Sequence, residues 1–173
     1  MEQELSDHHG AVRCPWAGPH DDYRAYHDNE WGRPVVGEAA LFERLCLEGF
    51  QAGLSWLTIL RKRQNFRRAF RGFEIDAVAR FNARSVERLL ADPGIVRHRG
   101  KIEAAIHNAR CTRGLVAARG SLAAYLWSFE PSPEDRPTSL TASAVAALGE
   151  SPAARSLARD LRGRGFRFVG PTT

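Results

Sequence analysis

In this 173-residue sequence, the stretch whose residue types and spacing speak most directly of chemistry runs Leu89-Leu90-Ala91-Asp92-Pro93-Gly94-Ile95-Val96-Arg97-His98-Arg99-Gly100-Lys101-Ile102. It reads as a short helix, a tight turn and the start of a second helix. Gly94 lets the turn backbone approach an anion closely, and the amides free at the start of the second helix point outward, where the helix dipole favours negative charge. Arg97, Arg99 and Lys101 add cations at that end, next to Val96. Such a hairpin holds a nucleic-acid backbone through its phosphates without reading sequence. A plain helix–helix turn capped by Gly94 has the same outline; the basic residues immediately after the turn favour phosphate binding. A second basic cluster, Arg61, Lys62, Arg63, Arg67, Arg68 and Arg71, taken alone is better read as a solvated helix face. The net charge of +5 and pI of about 9.6 permit an anionic partner without requiring one.

The elements that must carry the hairpin are helical throughout. Leu41, Phe42, Leu45 and Cys46 recur on one helix face, which predicts a helix ending near Gly49. A second is expected from about Gly53, carrying Leu54, Leu57 and Leu60 inward and running into the Arg61–Arg71 stretch. Ser85 is the expected N-cap of a short helix through Leu90, broken by Asp92-Pro93-Gly94. A longer helix from about Arg99 places Ile102, Ile106 and Ala109 on one face. Leu122–Phe129 is a further helix and Glu130–Pro137 a loop. Ser151-Pro152 opens a last helix that ends near Gly165, since proline suits the first helical position. A few extended residues are possible over 166–169. No repeat and no alternating strand pattern is present, so the expected class is all-α.

Composition narrows the setting. A chain of this length buries roughly 70% of its unfolded surface and forms a core without staples. Its 43% hydrophobic and 26% charged residues are ordinary for a globular protein. The acidic, polar start, residues 1–12, is expected to be a disordered leader rather than a signal peptide, followed by a single domain over 13–173. Cys14, Cys46 and Cys111 are few, scattered and odd in number, which suits a reducing, cytoplasmic setting rather than a disulfide framework.

Five ordered motifs then carry a resemblance. They are Cys14-Pro15-Trp16; Tyr26-His27-Asp28-Asn29-Glu30-Trp31-Gly32; Leu47-Glu48-Gly49-Phe50-Gln51-Ala52-Gly53-Leu54-Ser55-Trp56; the hairpin from Gly94 to Ile102; and Arg164-Gly165-Phe166-Arg167-Phe168-Val169-Gly170. Over nearly its whole length the chain resembles the 3-methyladenine DNA glycosylase I family. The resemblance implies a helix-hairpin-helix DNA glycosylase fold, double-stranded DNA with alkylated bases as partner, and monofunctional base excision by a monomer. It implies that Glu48 is the catalytic carboxylate accepting hydrogen bonds from the methylated base. Tyr26 would bond the base edge, Trp56 stack on its face, and Trp16 and Trp31 complete an aromatic wall. Leu54 would fill the gap left in the duplex. These residue types suit the task. A flipped base is read by stacking and by bonds to its edge, and a methylated adenine cation attracts electron-rich rings. Singly, each tryptophan could be a core aromatic and Glu48 an ion-pair partner; their joint appearance in the family's order favours the site. A non-catalytic damage-binding module that keeps hairpin and pocket is the alternative, and a helical scaffold with an incidental basic surface is a third reading. No lysine directly follows the hairpin helix, and Lys101, which begins it, is assigned to phosphate; a Schiff-base step is therefore not expected.

The resemblance also implies a structural zinc, with Cys14 and His27 supplying two of its ligands. The other two, a His and a Cys, would come from a C-terminal segment that begins where this sequence ends, at Pro171-Thr172-Thr173. Truncation is the favoured explanation. No other His is an obvious substitute, although His8, His9 and His20 lie near enough in sequence to be conceivable. A tetrahedral site takes four ligands, so the 173 residues alone are expected to bind zinc weakly or not at all.

Overall fold

The computed structural model describes residues 13–136, 141 and 150–172. The leader expected at 1–12, with His8 and His9, lies outside them, as does Pro137 at the end of the expected loop. Every regular element among the described residues is helical: α1 (Asp21–Asn29), α2 (Glu38–Gln51), α3 (Trp56–Ala69), α4 (Ile75–Ala79), α5 (Ala83–Leu90), α6 (Arg99–Arg119), α7 (Leu122–Trp127) and α8 (Pro152–Gly163), with short 3₁₀ turns between some of them. None of the described helices is long and apolar enough to cross a membrane.

The core is built where α2, α3 and α6 meet. Phe42 and Phe50 of α2, Phe66 of α3, and Phe70 and Phe73 just after it are fully buried. Phe50 and Phe66 lie 4.7 Å apart between ring centroids, and Phe70 stacks on Phe73 at 5.4 Å. Burying one such ring stabilises by about 1.5–3 kcal/mol, so this cluster fixes how α2 and α3 cross. The α6 stripe expected from the sequence is present: Ile102, Ile106 and Ala109 all face the core.

Several boundaries differ from the expectations, each for a local reason. α3 begins at Trp56 rather than near Gly53, because Ser55 caps it by accepting from the Thr58 amide at 3.2 Å. Leu54 therefore lies outside the helix and is 42% exposed, while Ile59 takes the buried place. α5 is capped by Asn82, not Ser85; Ser85 is the third helical residue, and the two side chains bond each other's backbone amides. The helix expected to reach Phe129 ends at Trp127, and residues 166–169 form no strand. Ser151 and Pro152 open α8 as expected, with the Ser151 hydroxyl on the Ala154 amide at 3.1 Å.

Candidate functional site

Three elements bring the aromatic residues together. Trp16 lies in a 3₁₀ turn over Pro15–Ala17, Tyr26 on α1 and Trp56 at the start of α3. Ring centroids are 6.4 Å apart for Trp16 and Tyr26, and 5.5 Å for Tyr26 and Trp56. Trp31 meets Trp16 edge-on at 5.2 Å and stays 40% exposed at the rim. Tyr23, which the sequence reading passed over, joins the wall at 5.0 Å from Trp16. Its signal was present as the i, i+3 pair with Tyr26, but α1 lacks an apolar stripe and went unrecognised. The Trp56 indole N–H is buried without a hydrogen-bond partner among the described residues. An unmet donor of this kind costs about 1–3 kcal/mol, which packing elsewhere must offset.

Glu48 stands on α2 beside this wall. Burial pushes its carboxyl up from 4.5 to about 7, against an opposing pull from Arg44 one turn earlier. Its charge in turn acts on the Tyr23 and Tyr26 hydroxyls, both raised mainly by their own burial. No hydrogen bond or ion pair joins Glu48 to the described residues, in contrast to Glu43 on the same helix, which takes a two-pronged bond from Arg67 at 2.7 and 2.8 Å. A half-buried acid with no hydrogen bond or ion pair among the described residues, its charge acting on two tyrosines of the aromatic wall, is suited to a flat cationic ligand: rings for its faces and a carboxylate for its charge.

The hairpin is also formed. The Gly94 amide donates to Asp92 Oδ1 at 2.7 Å, closing the turn. A Cβ at Gly94 would fall 2.9 Å from both Asn65 Nδ2 and Asp92 Oδ1, so the position needs glycine for space. Asn65 and Lys62 of α3 reach across to the turn's carbonyls: Asn65 Nδ2 to Gly94 O at 3.1 Å, and Lys62 Nζ to Pro93 O at 3.1 Å. His98 caps α6, its Nδ1 accepting from the Lys101 amide at 3.3 Å, and Arg97 is exposed. The Arg99 and Gly100 amides open α6 and bond to none of the described residues, which leaves two outward donors at its positive end. Val96 is partly buried against the core, so its contribution is to seat the turn.

The basic residues divide more sharply than charge alone indicated. Arg61 pairs with Asp22, Arg63 with Glu30 and Arg67 with Glu43. Half of that cluster is therefore occupied by ion pairs within the fold, where the sequence predicts a solvated helix face. Arg99 is exposed but tied to Glu87 at 2.8 Å. Lys101 requires correction. Its side chain is only 8% exposed, and its ammonium donates to Phe50 O at 2.9 Å and Ala52 O at 2.5 Å, not outward to a phosphate.

Cys14 and His27 are neighbours. The Cys14 amide donates to His27 Nε2 at 3.3 Å, and His27 Nδ1 donates to Asp28 Oδ1 at 2.9 Å. Asp28, held to about 2 by Arg13 and His27, is a firm partner for that ring. An imidazole oriented by a carboxylate is the usual support of a metal ligand. Yet no group of three or more His, Cys, Asp or Glu able to hold a metal exists among the described residues. The two ligands do not make a zinc site by themselves.

Known proteins share this sequence and fold. A family described as methyladenine glycosylase matches residues 16–173. The chain is 44% identical over 161 residues to DNA-3-methyladenine glycosylase 1 of Escherichia coli strain K12, across 92% of this chain and 84% of that protein. It is 37% identical over 165 residues to DNA-3-methyladenine glycosylase of Haemophilus influenzae, across 94% of this chain and 86% of that protein. Among solved structures, 3-methyladenine DNA glycosylase I of Staphylococcus aureus superposes with a TM-score of 0.84 at 37% identity, covering 92% of this chain and 84% of that one. A variant of 3-methyladenine DNA glycosylase I in complex with 3-methyladenine gives a TM-score of 0.82 at 36% identity, covering 94% and 86%. With the ordered motifs, the aromatic wall and the formed hairpin in one fold, this chain belongs to the methyladenine glycosylase family.

Proposed function

We propose that this protein is a base-excision repair enzyme that removes 3-methyladenine from alkylated double-stranded DNA, acting as a monomer and leaving an abasic site. The observation that carries the reading is the Glu48 carboxyl, without a hydrogen bond or ion pair among the described residues, beside Tyr23 and Tyr26, the second of which packs on Trp56. The base is reached only by extrusion from the stack. Within the wall, Trp56 stacks on its face, Tyr26 bonds its edge, and Trp16 and Trp31 close the sides. A 3-methylated adenine carries a ring cation, which holds Glu48 ionised in the complex by simple attraction. The bond from the base nitrogen to C1′ then breaks with its electron pair going to the base, whose positive charge is cancelled. Water adds at C1′ and releases its proton. Because the leaving group is already activated, recognition of the cation and positioning of water are sufficient, and no protonation of the base is required. Lys101, buried and bonded to two carbonyls, is not placed as an amine nucleophile. Leu54, at an exposed corner after Gly53, fills the space the base vacates. Gly94, Arg97, Arg99 and the amides opening α6 hold the phosphates.

The test is to incubate the purified protein with methylated duplex DNA and quantify each free base. Release of 3-methyladenine is expected, with no DNA adduct trapped by borohydride. A folded protein that releases no base, yet binds methylated duplex more tightly than unmethylated, would replace the enzyme by the damage-binding module. Cys14 and His27 supply two of four positions for a structural zinc, so the 173-residue chain is expected to hold zinc weakly; stoichiometric, tightly bound metal on purified protein contradicts this.

A further inference from the structure

Among 25 basic residues this chain has only two lysines, Lys62 and Lys101; every other position is arginine. Both lysines do the same unusual thing. Each sets its ammonium on a pair of main-chain carbonyls, Lys62 on Pro93 and Gly94, Lys101 on Phe50 and Ala52. A compact ammonium brings a single nitrogen to both carbonyls, whereas a guanidinium meets two carbonyls with two nitrogens set apart, as Arg110 does with Ala79 O and Phe81 O. Lys101 is the more demanding case, because it is 8% exposed and has no carboxylate partner among the described residues. Burying an unpaired cation is costly unless hydrogen bonds and local dipoles replace its hydration. Here the replacement is the negative end of α2, whose last carbonyls converge on Nζ.

The two ends that Lys101 joins belong to different tasks. Its backbone is the third residue of α6, beside the open Arg99 and Gly100 amides. Its ammonium bonds Phe50 O in the last turn of α2, two residues beyond Glu48, and Ala52 O, the first residue of the corner 52–55. That corner depends on Gly53, at φ +77°, and carries exposed Leu54.

We propose that Lys101 is a positioning residue: it ties the phosphate-facing start of α6 to the 52–55 corner, and so sets where Leu54 and the Glu48 helix stand when DNA is engaged. The inference rests on the glycosylase reading above. It adds that backbone contact at the hairpin is transmitted to the corner through one side chain, by compact geometry and not by charge alone.

The test compares the parent with Lys101→Arg and Lys101→Met. Three quantities are measured: affinity for free 3-methyladenine by tryptophan quenching, affinity for unmethylated duplex, and single-turnover base release. Free-base and duplex affinities are expected to stay within about threefold, while release falls about tenfold to a hundredfold in both variants, the loss typical of a small misplacement. Free-base affinity that falls in parallel with release, or release that is unchanged, overturns the proposal. So does full activity in Lys101→Arg, which would assign the role to charge. Amide exchange at residues 52–55 on binding unmethylated duplex reads the tether without any base release. Protection in the parent that is lost in the variants supports it, and protection kept in the variants overturns it. An inactive parent that shows this pattern removes the glycosylase reading and leaves the tether standing. If neither variant folds, Lys101 serves stability and the proposal fails.

Discussion

The pocket side and the hairpin side of this molecule treat their polar groups in opposite ways. At the hairpin, turn carbonyls and cap groups are engaged from within: Asp92 closes the turn, Lys62 and Asn65 hold its carbonyls, and His98 caps α6. At the pocket, neither the half-buried Glu48 carboxyl nor the Trp56 indole N–H has a hydrogen-bond partner among the described residues. Under the proposed function, the difference follows from what each region recognises. A phosphate backbone is met by a rigid shape that offers a few amides, so internal satisfaction costs nothing in function. A cationic base is met by a carboxylate charge to which no hydrogen bond or ion pair among the described residues is committed beforehand. Stability is given up at the pocket for the sake of that charge.

Four substitutions break or sharpen this contrast, ordered here by expected size. Trp56→Ala should weaken free 3-methyladenine binding by about 1–3 kcal/mol, read by calorimetry, with duplex affinity nearly unchanged. A parallel loss of duplex affinity would show that the two regions are not separable. Glu48→Gln should stabilise the folded protein above pH 7. The folded carboxyl titrates at about 7 against 4.5 for an ordinary one, so the folded state binds the extra proton. That contribution is fully present below the unfolded pKa and is lost as pH rises through about 7, where the parent carries a buried charge. The amide removes the penalty, worth on the order of 2 kcal/mol, and should raise the midpoint of thermal unfolding at pH 8 by several degrees. An unchanged or lower midpoint contradicts it. Gly94→Ala should cost about 1 kcal/mol in stability and weaken duplex binding, since Asn65 and Asp92 must give way. Lys62→Met should lower duplex affinity by about threefold through a loosened turn, and leave free-base affinity alone.

The hairpin was more legible in the sequence than the pocket, for a physical reason. Asp92-Pro93-Gly94 and the Ile102, Ile106, Ala109 stripe are local signals, and both are realised as read. The pocket depends on α1, whose run Asp21–Asn29 is too polar to show a helical stripe, and so Tyr23 stayed hidden until α1 laid it beside Trp16. Leu54 was placed inward because counting at helical spacing passed through Gly53, where the chain in fact turns. The cap of α5 was set at Ser85 because either member of a reciprocal cap looks like its first residue. Lys101 could not be read correctly at all: the carbonyls that claim it lie some fifty positions earlier in the chain. The carboxylates that pair with Arg61, Arg63 and Arg67 lie 39, 33 and 24 positions earlier, so a stretch that reads as a solvated helix face is in part internal wiring.

The central claim is that an ionised, otherwise unpartnered Glu48 drives recognition and release of the methylated base. The most direct test is single-turnover release of 3-methyladenine by the parent and by Glu48→Gln, from one methylated duplex, across a range of pH spanning 7. The account predicts that parental kcat/KM falls as pH drops below about 7 and the carboxyl takes up its proton. It predicts that Glu48→Gln is slower by about a hundredfold and shows no such fall. A variant that releases the base at the parental rate, or a parental profile flat through pH 7, would contradict it.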